Sequence, residues 1–118
     1  MSSADRSNTS PGESSAILDL LFQVIQERKS GSTEKSYTVS LFQKGLDTIL
    51  KKTGEEAIEL VIAGKGGKRE EIVYEASDLL YHLLVLLSYY EIDPEEVYRE
   101  LRRRFGLSGI AEKESRGS

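Results

Sequence analysis

Apolar residues recur at helical spacing along most of the chain. Ile17, Leu20, Leu21, Val24 and Ile25 fall at i, i+3, i+4, i+7 and i+8, the stripe of an amphipathic helix. Ser14 or Ser15 is placed to cap this helix, which runs to about Lys29 and is stopped by Ser30, Gly31 and Ser32. A second stripe, with Leu41, Phe42, Ile49, Leu50, Ile58 and Val61 among its positions, predicts one helix from near Thr38 to near Ala63. Gly45 and Gly54 lie inside it. Each costs about 1 kcal/mol relative to alanine, and each is either a tolerated weak spot or bend, or a place where a ligand or a neighbouring backbone comes close. The sequence GKGG at 64–67 then breaks the pattern.

A third helix is predicted from near Lys68 to near Tyr90. Ile72, Val73, Leu79, Leu80, Leu83 and Leu87 form its stripe, and Val85 and Leu86 widen it until the helix is apolar nearly all round. Such a helix is central in its bundle or covered by a partner chain. Asp93, Pro94 and Glu96 read as N-cap, N1 and N3 of a fourth helix carrying Val97, Leu101 and Phe105, with Gly106 as its C′ residue. No segment alternates as a strand does, and no internal repeat is visible. The expected fold is all-α, a bundle of about four helices. One domain over 14–109 is expected, flanked by disordered segments at 1–13 and 110–118 whose polar composition cannot build a core.

Composition narrows the function. A chain of 118 residues suggests a single domain. A formal net charge of −4 with mixed signs argues against a polybasic nucleic-acid binder. The absence of cysteine excludes disulfides and thiolate metal sites, and a single histidine, His82, excludes a multi-histidine zinc site. The longest apolar run, residues 83–87, is far short of a membrane span, and the N-terminal segment lacks the apolar core of a secretory signal. The expectation is a cytoplasmic protein with neither nucleic acid nor membrane as partner.

The candidate chemistry lies in carboxylates. Glu56 and Glu59 are three residues apart, about 60° on one helix face, and Glu75 and Asp78 repeat that spacing on the next helix. Folded back about the GKGG turn, the pairs Glu59/Glu75 and Glu56/Asp78 share a midpoint at residue 67. Glu59 should therefore face Glu75, and Glu56 should face Asp78 one turn further from the loop. Four carboxylates within about 8 Å would repel one another unless a hard divalent cation, Mg²⁺ or Mn²⁺, lay among them. The alternative is a solvated acidic face, and first-turn position explains Glu70, Glu71, Glu95 and Glu96 that way. Glu55 is a possible ligand, base or supporting group. Lys52 is either a surface lysine paired with Glu56 or a phosphate clamp. His82 reads as a packed or supporting residue rather than a catalytic one. The helix dipole suffices for the arginines at 102–104.

Glu55, Glu56, Glu59, Glu75 and Asp78 together spell E-E-x-x-E…E-x-x-D. In this the chain resembles the all-α, MazG-like nucleotide pyrophosphohydrolases. The surrounding text, SYTVSLFQKGLDTILKKTGEEAIEL and EIVYEASDLLYHLLVLL, is similar to the phosphoribosyl-ATP pyrophosphohydrolase family of histidine biosynthesis, from about Ile17 to Phe105. The resemblance implies hydrolysis of an α–β phosphoanhydride of a nucleotide substrate. It implies Mg²⁺ on Glu56, Glu59, Glu75 and Asp78, catalytic roles for Glu55, Glu56 and Glu59, and phosphate binding by Lys52. It also implies a homodimer or larger homo-oligomer that completes the bundle. Two rivals remain. A house-cleaning nucleoside triphosphate pyrophosphohydrolase would share the fold and metal chemistry, and a non-enzymatic dimerisation module would bind Mg²⁺ only weakly.

Overall fold

The single long second helix expected from the apolar stripe is two helices. At Gly45 the backbone adopts φ 100° and ψ −176°, a conformation that glycine reaches and side-chain-bearing residues rarely do. Gly45 ends one helix by donating its N–H to Leu41 O at 3.0 Å, and its own carbonyl accepts from Ile49 N to start the next. An apolar stripe does not register such a break, because both halves keep helical spacing. The computed structural model describes residues 16–31 and 36–105. Five helices and no strand occur among them: α1 (Ile17–Lys29), α2 (Tyr37–Lys44), α3 (Leu46–Gly66), α4 (Arg69–Tyr89) and α5 (Pro94–Arg103). The all-α expectation holds, with five helices in place of about four. Ser14, Ser15, Gly106, the N-terminal segment 1–13 and the tail 110–118 lie outside the described residues.

Local chemistry sets the boundaries. The Ser36 hydroxyl accepts from Val39 N at 3.0 Å and starts α2. The GKGG break falls later than expected, since α3 runs through Gly64 and Gly66 and ends only at Gly67. That residue is left-handed at φ 81° and donates to Ala63 O at 3.0 Å. Gly54 sits within continuous helix, and a Cβ added there would meet nothing within 4 Å. No neighbouring side chain or backbone comes close to it among the described residues, as a tolerated weak spot or bend would have it. The Asp93 carboxylate accepts from Glu95 N at 2.9 Å to begin α5. Phe105 falls beyond the last turn of α5 and is exposed.

Helices α3 and α4 fold back as a hairpin across residues 67–68, α1 packs on α4, and α2 bridges α1 and α3. The core is Ile25, Leu41, Ile49, Leu84 and Val85. It is tied by a polar link between α1 and α4, in which Ser88 Oγ donates to Gln26 Oε1 and Lys29 Nζ donates to the Ser88 carbonyl. Tyr98 of α5 donates to Asp19 of α1 at 2.9 Å. By length and composition alone α4 could cross a membrane, yet its buried residues are His82, Leu84, Val85 and Ser88 within this bundle. Its other half is open: Val73 is 58 % and Tyr74 64 % exposed, and Ile58, Val61 and Ile62 of α3 are exposed as well.

Candidate active site

The hairpin brings acids together from both helices. A turn at Gly67 and Lys68 is centred close to residue 67, the midpoint of the matched acidic pairs, so the two helices meet nearly in register. Glu56, Glu75 and Asp78 each offer a carboxylate oxygen, and these oxygens lie within 4.8 Å of one another. Glu56 is buried at 9 % exposure, and Glu75 and Asp78 are half-buried. Glu59 stands outside this tight group and is exposed. It borders the adjoining groove of about 400 Å³, which Glu75, Ile62, Ala63 and Glu71 also line. Glu71, expected as a solvated first-turn acid, is exposed at that rim and pairs with Lys68 at 4.0 Å. A second groove of about 350 Å³, between α1 and the start of α5, contains none of the carboxylates of the cluster.

The electrostatics are those of a site lacking positive charge. Burial pushes the Glu56 carboxyl up to about 7, with the charges of Asp78, Glu59 and Glu75 adding to it. Burial and then the Glu59 charge also raise Glu75. The Oε1 atoms of Glu56 and Glu75 are buried with no hydrogen-bond partner, a costly state for polar atoms. Among the described residues no basic side chain forms an ion pair with Glu56, Glu75 or Asp78. Lys52, which the sequence offered as a partner for Glu56, pairs instead with Glu55, its Nζ 3.5 Å from Oε1. Lys51 reaches the same carboxylate at 4.0 Å. Converging oxygens, two of them buried without partners, fit a hard divalent cation.

Beside the carboxylates lies an aromatic group that helical periodicity gave no reason to place there. His82 is buried, with Nδ1 2.8 Å from the Asp78 carbonyl and Nε2 2.8 Å from the Tyr37 hydroxyl. A carbonyl only accepts, so Nδ1 carries the proton in that contact, and in this tautomer Nε2 accepts from Tyr37. The Tyr37 ring stands edge-on to His82 and stacks on Tyr81 at 6.1 Å, while the Tyr81 hydroxyl bonds Thr38 Oγ1. Burial raises the Tyr37 phenol, opposed by the Lys52 charge. Lys52 is raised in turn, by Tyr37 first and then Glu55. Tyr37 is the residue that sequence reasoning left without a role. Its only signal was its place in the SYT string.

The sequence as a whole has close counterparts. Residues 18–105 match the family model for phosphoribosyl-ATP pyrophosphohydrolase. A phosphoribosyl-ATP pyrophosphatase of Geobacter metallireducens is 71 % identical over 100 residues, covering 85 % of this chain and 92 % of that protein. The protein of the same name from Geotalea daltonii is 66 % identical, over 85 % of this chain and 94 % of its own length. One from Dechloromonas aromatica is 52 % identical, over 86 % and 94 %.

Proposed function

The chain belongs to the phosphoribosyl-ATP pyrophosphohydrolase family, and on that premise we propose that it hydrolyses the α–β phosphoanhydride of phosphoribosyl-ATP. Water adds at phosphorus, the anhydride P–O bond breaks, and phosphoribosyl-AMP and pyrophosphate leave. This is the second step of histidine biosynthesis, a cytoplasmic reaction. The observation that carries the reading is the meeting of Glu56, Glu75 and Asp78 at the hairpin with buried, unpartnered oxygens.

Glu56, Glu75 and Asp78 would hold the metal, with Glu59 closing the set from the groove beside Glu75. Mg²⁺ is the ion we assign, with Mn²⁺ able to replace it, because the donors are all oxygen. When bound, the ion would neutralise phosphate charge and favour attack by water. The chain's own residues do the rest. Lys52, on the helix turn before Glu56, holds a phosphate oxygen as a point charge. Glu55, half-exposed beside it, accepts the proton that the attacking water loses. A second copy of the chain covers the apolar faces of α3 and α4 around Ile58, Val61, Val73 and Tyr74. Sedimentation at micromolar concentration then gives a dimer or larger, and a clean monomer would overturn that part.

The test is turnover of phosphoribosyl-ATP against a panel of free nucleoside triphosphates, with Mg²⁺ and with a chelator. Pyrophosphate release confined to phosphoribosyl-ATP and dependent on the metal is expected. Preference for free triphosphates would assign the chain to a house-cleaning role. No turnover of any nucleotide would remove the enzymatic reading.

A further inference from the structure

The carboxylate cluster stands between two fastenings of the α3–α4 hairpin. On one side is the turn at Gly67 and Lys68. On the other, one helical turn beyond Asp78, the first turn of α2 is tied to α4 by two adjacent side-chain contacts. The Tyr37 hydroxyl donates to His82 Nε2 at 2.8 Å, and Thr38 Oγ1 bonds the Tyr81 hydroxyl. Both ties have a buried member, His82 in the first and Thr38 in the second. α2 is in turn fastened to α3. It passes into that helix at Gly45, whose carbonyl accepts from Ile49 N, and it packs on it. α2 is therefore a strut from α3 to α4. The direction of the Tyr37 bond is set from within the cluster. The Asp78 carbonyl only accepts, so His82 Nδ1 donates to it at 2.8 Å, and Nε2 is left as the acceptor for Tyr37.

We infer that Tyr37 and His82 are positioning residues for the carboxylate cluster: through them α2 holds the Asp78 turn of α4 against Glu56 on α3. The cluster needs such a hold. Carboxylate oxygens of Glu56, Glu75 and Asp78 lie within 4.8 Å of one another, and like charges at that spacing push the two helices apart. A cation binds best where its donors already stand together, because the cost of gathering them is then not charged to binding. The clasp is itself stiff. Tyr37 stands edge-on to His82 at 5.6 Å and Tyr81 does so at 5.1 Å, which leaves the imidazole little room to turn. Ser88 supplies the contrast. Its hydroxyl and carbonyl tie α4 to α1 through Gln26 and Lys29, further along the helix, and that tie does not involve α3. The inference rests on the proposed reading in one respect, that the cluster binds a divalent cation.

The experiment measures Mn²⁺ binding to the full chain without substrate, from the electron paramagnetic resonance signal of the free ion. Tyr37→Phe keeps the ring and removes only the hydroxyl. It should weaken Mn²⁺ binding about three- to tenfold, the range of one lost hydrogen bond. His82→Leu should weaken it at least as much, and His82→Gln, which keeps an acceptor for Tyr37, should recover part of the loss. Ser88→Ala should lower the melting temperature and leave Mn²⁺ affinity unchanged. In turnover of phosphoribosyl-ATP, the Tyr37→Phe deficit should vanish at saturating Mn²⁺, with KM for the substrate unmoved. In a chelator, amide exchange over residues 75–82 should quicken in Tyr37→Phe. Unchanged Mn²⁺ affinity in Tyr37→Phe overturns the inference. So does an equal loss in Ser88→Ala, which would make the effect one of general stability. If the wild-type chain binds no Mn²⁺, the metal reading falls and amide exchange decides. Quickening in Tyr37→Phe that is absent from Ser88→Ala then keeps the clasp, and its absence from both removes it.

Discussion

Between Arg69 and Tyr81, α4 exposes Val73, Tyr74 and Leu80 and turns Glu75 and Asp78 toward α3. Between His82 and Tyr89 the same helix buries His82, Leu84, Val85 and Ser88. The polar groups of the second half are partnered. His82 bonds at both ring nitrogens, and Ser88 meets Gln26 and Lys29. The first half faces carboxyl oxygens that are buried and unpartnered. One continuous helix thus joins a region where every local choice favours the fold to one where several do not. The conflicted half is where the proposed site lies, because charges held apart from their natural partners are available to a ligand. The settled half holds them there.

The largest effect expected on this division is in the settled region. Ile49, fully buried beside Leu84 and Val85, should cost about 2–5 kcal/mol of stability as Ile49→Ala, read by urea unfolding. The folded fraction should turn over substrate at close to the normal rate. Loss of activity without loss of stability would erase the distinction between the two halves.

Glu56→Gln is the converse. Groups that merely support a metal ligand are worth about 10–100-fold, so removing a charged ligand should lower turnover by about a hundredfold or more. The melting temperature of the metal-free protein should stay level or rise, because one of several repelling charges has gone. Glu59→Gln, further from the tight group, should show both effects more weakly. Full turnover in Glu56→Gln would require the site to be redrawn.

A pH profile sharpens the same contrast. The Glu56 carboxyl sits at about 7 in the metal-free fold against its ordinary value of 4.5. The folded state therefore holds this proton more tightly than the unfolded chain does. Stability from this group is complete below about pH 4.5 and is lost as pH rises through 7, an effect of order 1–3 kcal/mol. Thermal melts in a chelator should fall between pH 5 and 7.5. Saturating Mg²⁺ should cancel or reverse that slope, since a cation that binds only the native state stabilises it. A metal-free profile that is flat over this range would remove the electrostatic conflict from the first half of α4.

The smallest effect lies outside both halves. The Glu100 carboxyl is held down at about 2 by hydrogen bonds from Arg103 and Arg104 at the end of α5. Its contribution is present above about pH 4.5 and is lost as pH falls through 2. Being exposed, it should also fade with salt. Circular dichroism of Glu100→Gln at pH 5 should differ little from wild type and leave turnover unchanged.

Much of this was readable from the chain alone. The apolar stripes located α1 and α4 within a residue or two, and Asp93 and Pro94 marked the start of α5, because such signals act over one or two helical turns. The matched spacing about residue 67 anticipated a meeting of acids across the hairpin, since helix geometry converts residue number into level and face. The break at Gly45 was not readable. Glycine inside a stripe is compatible with a continuous helix, and only the packing of α2 against its neighbours selects the conformation at φ 100°. The same holds for Glu59, which helix geometry places level with Glu75 while its exposed side chain lies outside the tight group. It holds most of all for Tyr37 and His82, whose contact spans 45 residues. Periodicity describes one helix at a time, and which side chains meet across helices depends on the angles and register at which the helices pack. That is information the tertiary structure alone contains.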